Sequence, residues 1–286
     1  MGMLGRDVER LLNDRKLQYD GSDLELDITN IEPLRDYSAG QDIEWIINCA
    51  AYTNVDKAED DREKAFRINA DGALNIARVA QETGAQLIHI STDYVFDGTK
   101  IEAYIELDDP NPQNVYGRSK LDGERRIVET MSQYFILRTA WLYGVHGSNF
   151  VHTMLRLFNE RDTVKVVSDQ WGSPTHTMDL AQVIFTVIDS GSSEYGVYHT
   201  TNEEKTNWYE FAKAILKGGL AHGLVKREIE ILPISSKDYP TKTVRPQNSC
   251  LSKKKIMSNF GSSLPSWQEG LEAFFKELVC IQGASQ

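Results

Sequence analysis

Two apolar runs constrain this chain more than any other feature. Ile43–Ala50 (IEWIINCA) and Ala85–Ile90 are short and nearly continuous in apolar residues. Such runs mark strands buried on both faces, the condition of a parallel sheet. Between them, Val55–Glu59 opens a charged helical region. Glu63–Asn69 continues it into a pattern through Leu74, Ile76, Val79 and Ala80, which recurs at the period of an amphipathic helix and stops at Thr83–Gly84. Strand, helix and strand at this spacing form a βαβ crossover. The expected class is α/β, with a doubly wound parallel sheet.

The remaining segments extend that pattern. Leu4–Asn13 reads as a helix, Leu17–Tyr19 as a short strand, and Leu24–Thr29 alternates. Thr29 or Asn30 is placed to cap a helix over Ile31–Tyr37. A helix beginning near Tyr116 runs on through Leu121–Met131, and Phe135–Arg138 is a further strand. Helices are expected over Asn149–Asn159 and Met178–Ile188, with a strand at Val164–Val167. After Gly191 the pattern changes. Short strands fall at Gly196–Thr200 and Ile229–Ile234, and helices at Asn207–Leu216 (capped by Thr206 or Asn207), Lys253–Phe260 and Trp267–Val279. The tail Ile281–Gln286 is expected to fray. Residues 1–141 are expected to form one domain and 142–286 mainly a smaller mixed α/β one. Segments around 160–190 are expected to return to the sheet of the first.

Charge and cysteine content exclude several functions. The 286 residues carry a formal net charge of −11. No broad basic surface is available for nucleic acid or an anionic membrane. No apolar stretch approaches the roughly 18 residues of a membrane span. Met1–Gly5 leads into mixed charge rather than the apolar core of a signal peptide. Cys49, Cys250 and Cys280 make neither a disulfide framework nor a metal cluster. A reducing, cytoplasmic setting is expected, and no metal ligands are assigned.

The chemistry concentrates between Leu87 and Lys120. The apolar strand ends in Ser91-Thr92-Asp93, at the edge where open α/β sheets bind ligands. Tyr116 and Lys120 follow, four apart on one helix face. A phenol of pKa about 10 is a weak acid or base, and a nearby ammonium lowers that value toward the working pH. Thr92 could hold a carbonyl oxygen that Tyr116 protonates as a hydride reaches its carbon.

Elsewhere the residues leave alternatives open. Ala50, Ala51 and Tyr52 either admit a ligand to the backbone or pack tightly. Gly2-Met3-Leu4-Gly5 is either half of a phosphate loop or an ordinary Gly-capped helix start. His89 reads as a buried, hydrogen-bonded histidine. Asp93 and Asp97 read as solvated or turn-forming. Arg245, close to prolines, either grips a diphosphate or makes a surface salt bridge.

The motifs together resemble those of the dTDP-4-dehydrorhamnose reductase family, within the extended short-chain dehydrogenase/reductases. The matching stretches are GMLGRDV at Gly2, LDITN at Leu26, NCAAYTNVDKAE at Asn48, and Phe66–Asn75. HISTDYVFDG at His89, YGRSKLDGE at Tyr116, RTAWLYG at Arg138 and QWGSPT at Gln170 continue it, and Arg245-Pro246 with Ser249 and Leu251 resembles the C-terminal signature.

The resemblance implies a Rossmann-like dinucleotide-binding domain with a smaller substrate-binding domain. It implies reduction of the C4 ketone of dTDP-4-dehydro-β-L-rhamnose to dTDP-β-L-rhamnose by NADH or NADPH. Thr92, Tyr116 and Lys120 would be catalytic, with Tyr116 the proton donor. Gly2, Met3, Leu4, Gly5, Asp27, Ile28, Ala50, Ala51, Tyr52 and Asn69, with Tyr116 and Lys120, would bind the cofactor. Val95, Trp141, Thr175 and Arg245 would contact the dTDP-sugar. A homodimer and Mg²⁺ would also follow from the likeness. No basic residue stands near Asp20–Asp23 to meet a 2′-phosphate, which leans toward NADH. The family's phosphate loop starts one strand and one glycine earlier, so the functional protein is expected to carry those residues as well. Competing readings are another nucleotide-sugar ketoreductase, an epimerase, or a non-catalytic regulatory subunit resembling that of methionine adenosyltransferase.

Overall fold

The computed structural model describes residues 1–284. Its main sheet has four strands: β1 (Trp45–Asn48), β2 (Gln86–Thr92), β3 (Tyr134–Thr139) and Gly196–His199. They lie side by side in that order, and every neighbouring pair is parallel. The register sets Asn48 beside His89 and Thr92 beside Thr139. The polar residues that end the first three strands therefore line one edge.

Alternation along the strands builds two layers of core. Ile88, Phe135 and Leu137 face Leu4, Val8, Leu180, Ile184 and Phe185. Leu87 and Ile136 face Leu34, Ala73, Ile76, Ala80 and Ile127. Helices Met3–Asp14 and Thr177–Asp189 thus cover one face of the sheet, and Ile31–Ser38, Gly72–Thr83 and Val115–Thr130 the other. A separate core gathers Val151, Leu155 and Phe158 with Phe211, Ile215, Phe274 and Phe275 from the later chain.

Side-chain caps decide several boundaries that the sequence left open. Asn30 accepts from the Glu32 N–H and starts Ile31–Ser38. Asn207, rather than Thr206, accepts from the Glu210 N–H and starts Trp208–Ala221. The long helix expected before Gly84 is interrupted. Arg62–Phe66 passes through a π-turn at Arg67–Asp71 into Gly72–Thr83, and Gly84 ends it with a left-handed φ of 78°.

Three expectations are corrected. Leu17–Tyr19 and Leu24–Thr29 form no strand, because no neighbouring strand is there to take their backbone groups, and Leu24 is 93% exposed. Thr163–Val167 pairs with Glu230–Ile234 in a two-stranded sheet of its own. The helix Thr177–Asp189, inside the range 160–190, does pack on the main sheet, and the strand Gly196–His199 joins it from beyond that range. The last helix runs from Trp267 to Ala284, so Ile281–Ala284 continues it. Residues 285–286, the rest of the tail expected to fray, lie outside the described residues. Among the described residues no helix is long and apolar enough to cross a membrane.

His199 ends the fourth strand fully buried, with Nδ1 3.1 Å from the Tyr104 carbonyl. Burial, helped by the nearby Arg138, pushes its pKa down to about 3. An unfolded histidine takes up its proton near pH 6.5. Between these values the unfolded state binds more protons, so stability falls as pH falls. Replacing His199 with Gln should flatten the slope of unfolding free energy between about pH 4 and 6 by close to one proton, about 1.4 kcal/mol per pH unit. Urea titrations at several pH values measure this, and an unchanged slope would refute a neutral buried His199.

Candidate active site

The site forms where β1 and β2 end and the helix Val115–Thr130 begins. Asn114 caps that helix, its Oδ1 accepting the Gly117 N–H at 2.7 Å. The first turn therefore has a fixed direction, and it carries Tyr116 toward the end of β2. A buried ion pair sets the depth of the helix. Glu124 receives Arg138 of β3 at 2.7 and 3.0 Å and also the Ser91 hydroxyl of β2.

Thr92 and Tyr116 are brought together, and Lys120 follows one helical turn after Tyr116. The Thr92 hydroxyl lies near enough to the Tyr116 phenol to favour its ionised form. It also takes the Tyr94 N–H at 3.2 Å and donates to Asp93 Oδ1 at 3.0 Å. The Tyr94 ring meets Tyr116 edge-on, 5.6 Å between centroids. Lys120 is buried, and its Nζ donates to the Ile90 carbonyl at 2.6 Å.

The electrostatics differ from the sequence expectation. Burial pushes the Tyr116 phenol up to about 12, and the group that eases its ionisation is Thr92. The Lys120 ammonium does not act on it directly. Burial instead brings Lys120 itself down to about 8. Asp93 opens a short turn, Asp93–Val95, but is not solvated: it is 3% exposed, and burial lifts its carboxyl to about 6, opposed by the nearby Ser249 hydroxyl and by the hydrogen bond from Thr92. Asp97 does form a turn, accepting from the Thr99 N–H and the Tyr104 hydroxyl.

The expected cofactor residues occupy several places. Asn69, in the π-turn, accepts the Tyr52 N–H at 2.8 Å and donates to the Tyr52 carbonyl and to Ser119 Oγ. Ser119 in turn donates to the Tyr116 carbonyl. Asn69 thus ties the loop after β1 to the helix that carries Tyr116. A π-turn at such a position is typical of functional sites. Just after β1, Ala50 is exposed and Ala51 half-buried, leaving backbone within reach of a ligand. Asp27 and Ile28 sit on the helix Gly72–Thr83, where Ile28 abuts Gly72 and its carbonyl accepts from Asn75.

The helix Met3–Asp14 starts at Gly2 with no side-chain cap and no acid in its first turn. Asn caps fill the same position at Asn114, Asn149 and Asn207. Open N–H groups of this kind suit a diphosphate, so Gly2, Met3 and Gly5 fit a dinucleotide there. Leu4 is buried in the core and contributes backbone only.

The expected substrate residues fall into two groups. Arg245 pairs with Asp56 at 2.8 Å and lies close enough to Tyr94 to act on its phenol. Trp141 has a φ of 51° and stacks on Trp208 at 3.6 Å, packed against Gly172. Thr175 is fully buried and its N–H donates to the Trp141 carbonyl. The Val95 side chain fills a core cluster with Phe96, Tyr104, Leu121 and Leu251. Residues 245–251 connect the groups: Asn248 N–H donates to the Gly98 carbonyl, Trp171 N–H to the Gln247 carbonyl, and Ser249 reaches Asp93. Gly98 has a φ of 79°, and a Cβ there would meet Pro246 at 2.4 Å.

Sequence reasoning missed Asp93 as a buried partner of Thr92, and it missed Trp208; Ser249 it named only as part of the C-terminal signature. Asp93 carried a signal, as the first carboxylate after an apolar strand. Trp208 carried none, since its partner is far away in sequence. Among the described residues no three His, Cys, Asp or Glu side chains gather to hold a metal.

A family model described as the RmlD substrate binding domain matches residues 1–280. The chain belongs to that family. It is 40% identical over 279 residues to the dTDP-4-dehydrorhamnose reductase of Aggregatibacter actinomycetemcomitans, covering 95% of this chain and 94% of the relative. The crystal structure of dTDP-4-dehydrorhamnose reductase from Bacillus anthracis, in complex with NADP, superposes with a TM-score of 0.91 at 42% identity, covering 96% of each chain. UDP-glucose 4-epimerase of Thermus thermophilus, at 19% identity and a TM-score of 0.76 over 97% of this chain and 96% of that one, shares the fold alone. The Rossmann-like fold of the extended short-chain dehydrogenase/reductases is thus established for this RmlD-family chain.

Gly117 is the residue on which the Thr92–Tyr116 approach turns. A Cβ there would lie 2.1 Å from the Tyr94 carbonyl oxygen, which is backbone and has little room to yield. Gly117→Ala should cost about 1–3 kcal/mol of stability through overpacking and should also depress turnover by moving Tyr116 from Thr92. Chemical denaturation and a steady-state assay measure the two effects, and a variant equal to wild type in both would refute the close approach.

Proposed function

We propose that this chain reduces the C4 ketone of dTDP-4-dehydro-β-L-rhamnose to the alcohol of dTDP-β-L-rhamnose. The observation that carries the reading is the Thr92, Tyr116 and Lys120 cluster at the sheet edge, in a chain about 40% identical to dTDP-4-dehydrorhamnose reductases over most of its length. A reduced nicotinamide, when bound, supplies the hydride to the ketone carbon. Tyr116 donates a proton to the ketone oxygen, and Thr92 holds that oxygen and then the phenolate. Lys120, one helical turn below Tyr116, reaches the ribose side of the cofactor.

Residues 1–141 serve as the dinucleotide-binding unit and the later chain mainly as the substrate-binding one, with Thr177–Asp189 and Gly196–His199 packed onto the first. Ala50, Ala51, Tyr52 and Asn69 line the cofactor, with Gly2, Met3, Leu4 and Gly5 at its diphosphate and Asp27 and Ile28 toward its adenine. Trp141, Thr175, Val95 and Arg245 border the dTDP-sugar, Val95 through its backbone. Swinging Arg245 from Asp56 to a diphosphate exchanges one partly exposed ion pair for another, a small free-energy change.

NADH and NADPH both suit this reading. Asp20 and Asp23 disfavour a 2′-phosphate, whereas the Bacillus anthracis relative is in complex with NADP. A homodimer rests on family likeness alone. The three free thiols suit a reducing, cytoplasmic compartment.

The test is to offer the 4-dehydrorhamnose nucleotide with NADH and then NADPH and to follow absorbance of the reduced cofactor. Oxidation with one of them is expected, and none with either would overturn the reading. Tyr116→Phe should keep dinucleotide binding and lose roughly 10²–10⁴-fold in kcat. Undiminished turnover would remove Tyr116 from the mechanism.

A further inference from the structure

The groups behind Lys120 hold one hydrogen-bond donor too many. The Ala50 backbone N–H donates to Asn48 Oδ1 at 3.1 Å, and the nitrogen of the same amide lies 3.1 Å from His89 Nδ1. His89 Nε2 lies 3.3 Å from Lys120 Nζ, which also donates to the Ile90 carbonyl at 2.6 Å. Asn48, His89 and Lys120 are each 5% exposed or less, so they must satisfy one another.

Both ends of this row only donate. A backbone N–H has no lone pair, and neither has an ammonium. Between them stand one amide and one neutral imidazole, each with one accepting end and one donating end. In one arrangement the Asn48 oxygen takes the Ala50 N–H and its nitrogen donates to Nδ1. The imidazole proton then sits on Nε2, against the ammonium. In the other arrangement the ammonium donates to Nε2, the proton sits on Nδ1, and a half-turn of the amide brings the Asn48 oxygen to it. The amide nitrogen then faces the Ala50 N–H. Donor meets donor once in either case, and only the place differs.

Charge decides the place. The first arrangement forfeits a charge-assisted hydrogen bond from a buried ammonium, about twice as strong as a neutral one. The second sets two neutral donors together beside Ala50, an exposed residue, where water or a ligand can take the N–H. We propose that His89 and Asn48 are positioning residues: His89, protonated on Nδ1, accepts the Lys120 ammonium at Nε2, Asn48 accepts that Nδ1–H, and the Ala50 N–H is left for a bound ligand. Two of the three ammonium protons are thereby held by β2, at His89 and Ile90.

The charged and titratable groups that face the row agree with it. Burial brings Lys120 down to about 8, so the ammonium prevails at neutral pH, and Glu124, shared by Arg138 and Ser91, favours it. His89 is held well below its ordinary value, by burial first and by the Lys120 charge second, and is a neutral imidazole. Burial pushes the Cys49 thiol and the Tyr116 phenol up to about 12, and both keep their protons.

Only the effect on turnover rests on the ketone reduction proposed above; the hydrogen bonds do not. Nitrogen-15 NMR of the full chain labelled at histidine reads the tautomer, and through-space contacts between the ring and the Lys120 methylenes identify His89. At neutral pH the ring should carry one proton, on Nδ1. A proton on Nε2, or an imidazolium, would overturn the proposal in the wild-type protein alone. The Ala50 amide should exchange with solvent without protection, and protection of about tenfold or more would overturn its release.

Two variants supply the second arm. His89→Leu removes the acceptor, so the proton affinity of Lys120, read from its ¹⁵Nζ shift, should fall about tenfold or more. His89→Gln offers an amide oxygen to the ammonium and should restore the affinity to within about threefold. A folded His89→Leu protein with an unshifted Lys120 would overturn the proposal. So would two variants shifted alike, the outcome expected of a packing role. If Lys120 serves the reduction, the basic limb of the pH profile should move down in His89→Leu and return in His89→Gln. A limb that stays in place while the ¹⁵Nζ shift moves would count against Lys120 in the reaction and leave the hydrogen bonds standing.

Discussion

The position of Tyr116 and Lys120 depends on a buried carboxylate that touches neither. Glu124 lies one turn beyond Lys120 and is shared by Arg138 of β3 and Ser91 of β2, with both members of the ion pair 5% exposed or less. The helix can settle on the sheet only where that carboxylate meets both strands. Removing one member of such a pair leaves an uncompensated charge in the core, a loss of about 3–5 kcal/mol. A misplaced helix register would do the same. The pair is therefore better understood as a constraint on register than as a source of net stability, since burying two charges costs nearly as much as their attraction returns.

Burial then sets the chemistry at the end of β2. Each proton-bearing group there is shifted toward its neutral form: Tyr116 and Asp93 upward, Lys120 and His89 downward. Desolvation is the first cause in every case. Thr92 has one proton and two neighbours that can take it, Asp93 and Tyr116. While Tyr116 keeps its proton, Thr92 donates to Asp93 Oδ1 at 3.0 Å. Once the phenol has given its proton away, the phenolate is the stronger acceptor.

Much of this was legible in the sequence because its signals are local. The apolar runs at Ile43–Ala50 and Ala85–Ile90 fixed the parallel sheet, and the four-residue spacing of Tyr116 and Lys120 placed both on one helix face. Resemblance supplied the family, and the fold agrees with it. What was not legible depends on geometry across the chain. No periodicity reveals the π-turn that aims Asn69 at Tyr52 and Ser119, since it adds one residue to a helix that otherwise keeps its pattern. The alternation at Leu24–Thr29 suggested a strand, but a strand exists only beside another. Lys120 was expected to act on the phenol through its charge; its burial depth, which no spacing reports, instead brings Lys120 itself down to about 8, and the phenol answers to burial and to Thr92.

The same dependence on distant contacts governs the other side of the site. Trp141 adopts a left-handed backbone conformation, which for a bulky residue is strained and persists only where the surroundings hold it. Those surroundings are Trp208 stacked at 3.6 Å, Gly172 beneath the indole, and Thr175 bonded to its carbonyl. All three come from the later chain. Residues 245–251 then bind the 170–172 loop to the loop after β2. The indole and the Thr92–Tyr116 pair are thus fixed relative to each other through the later chain rather than through the strand order alone.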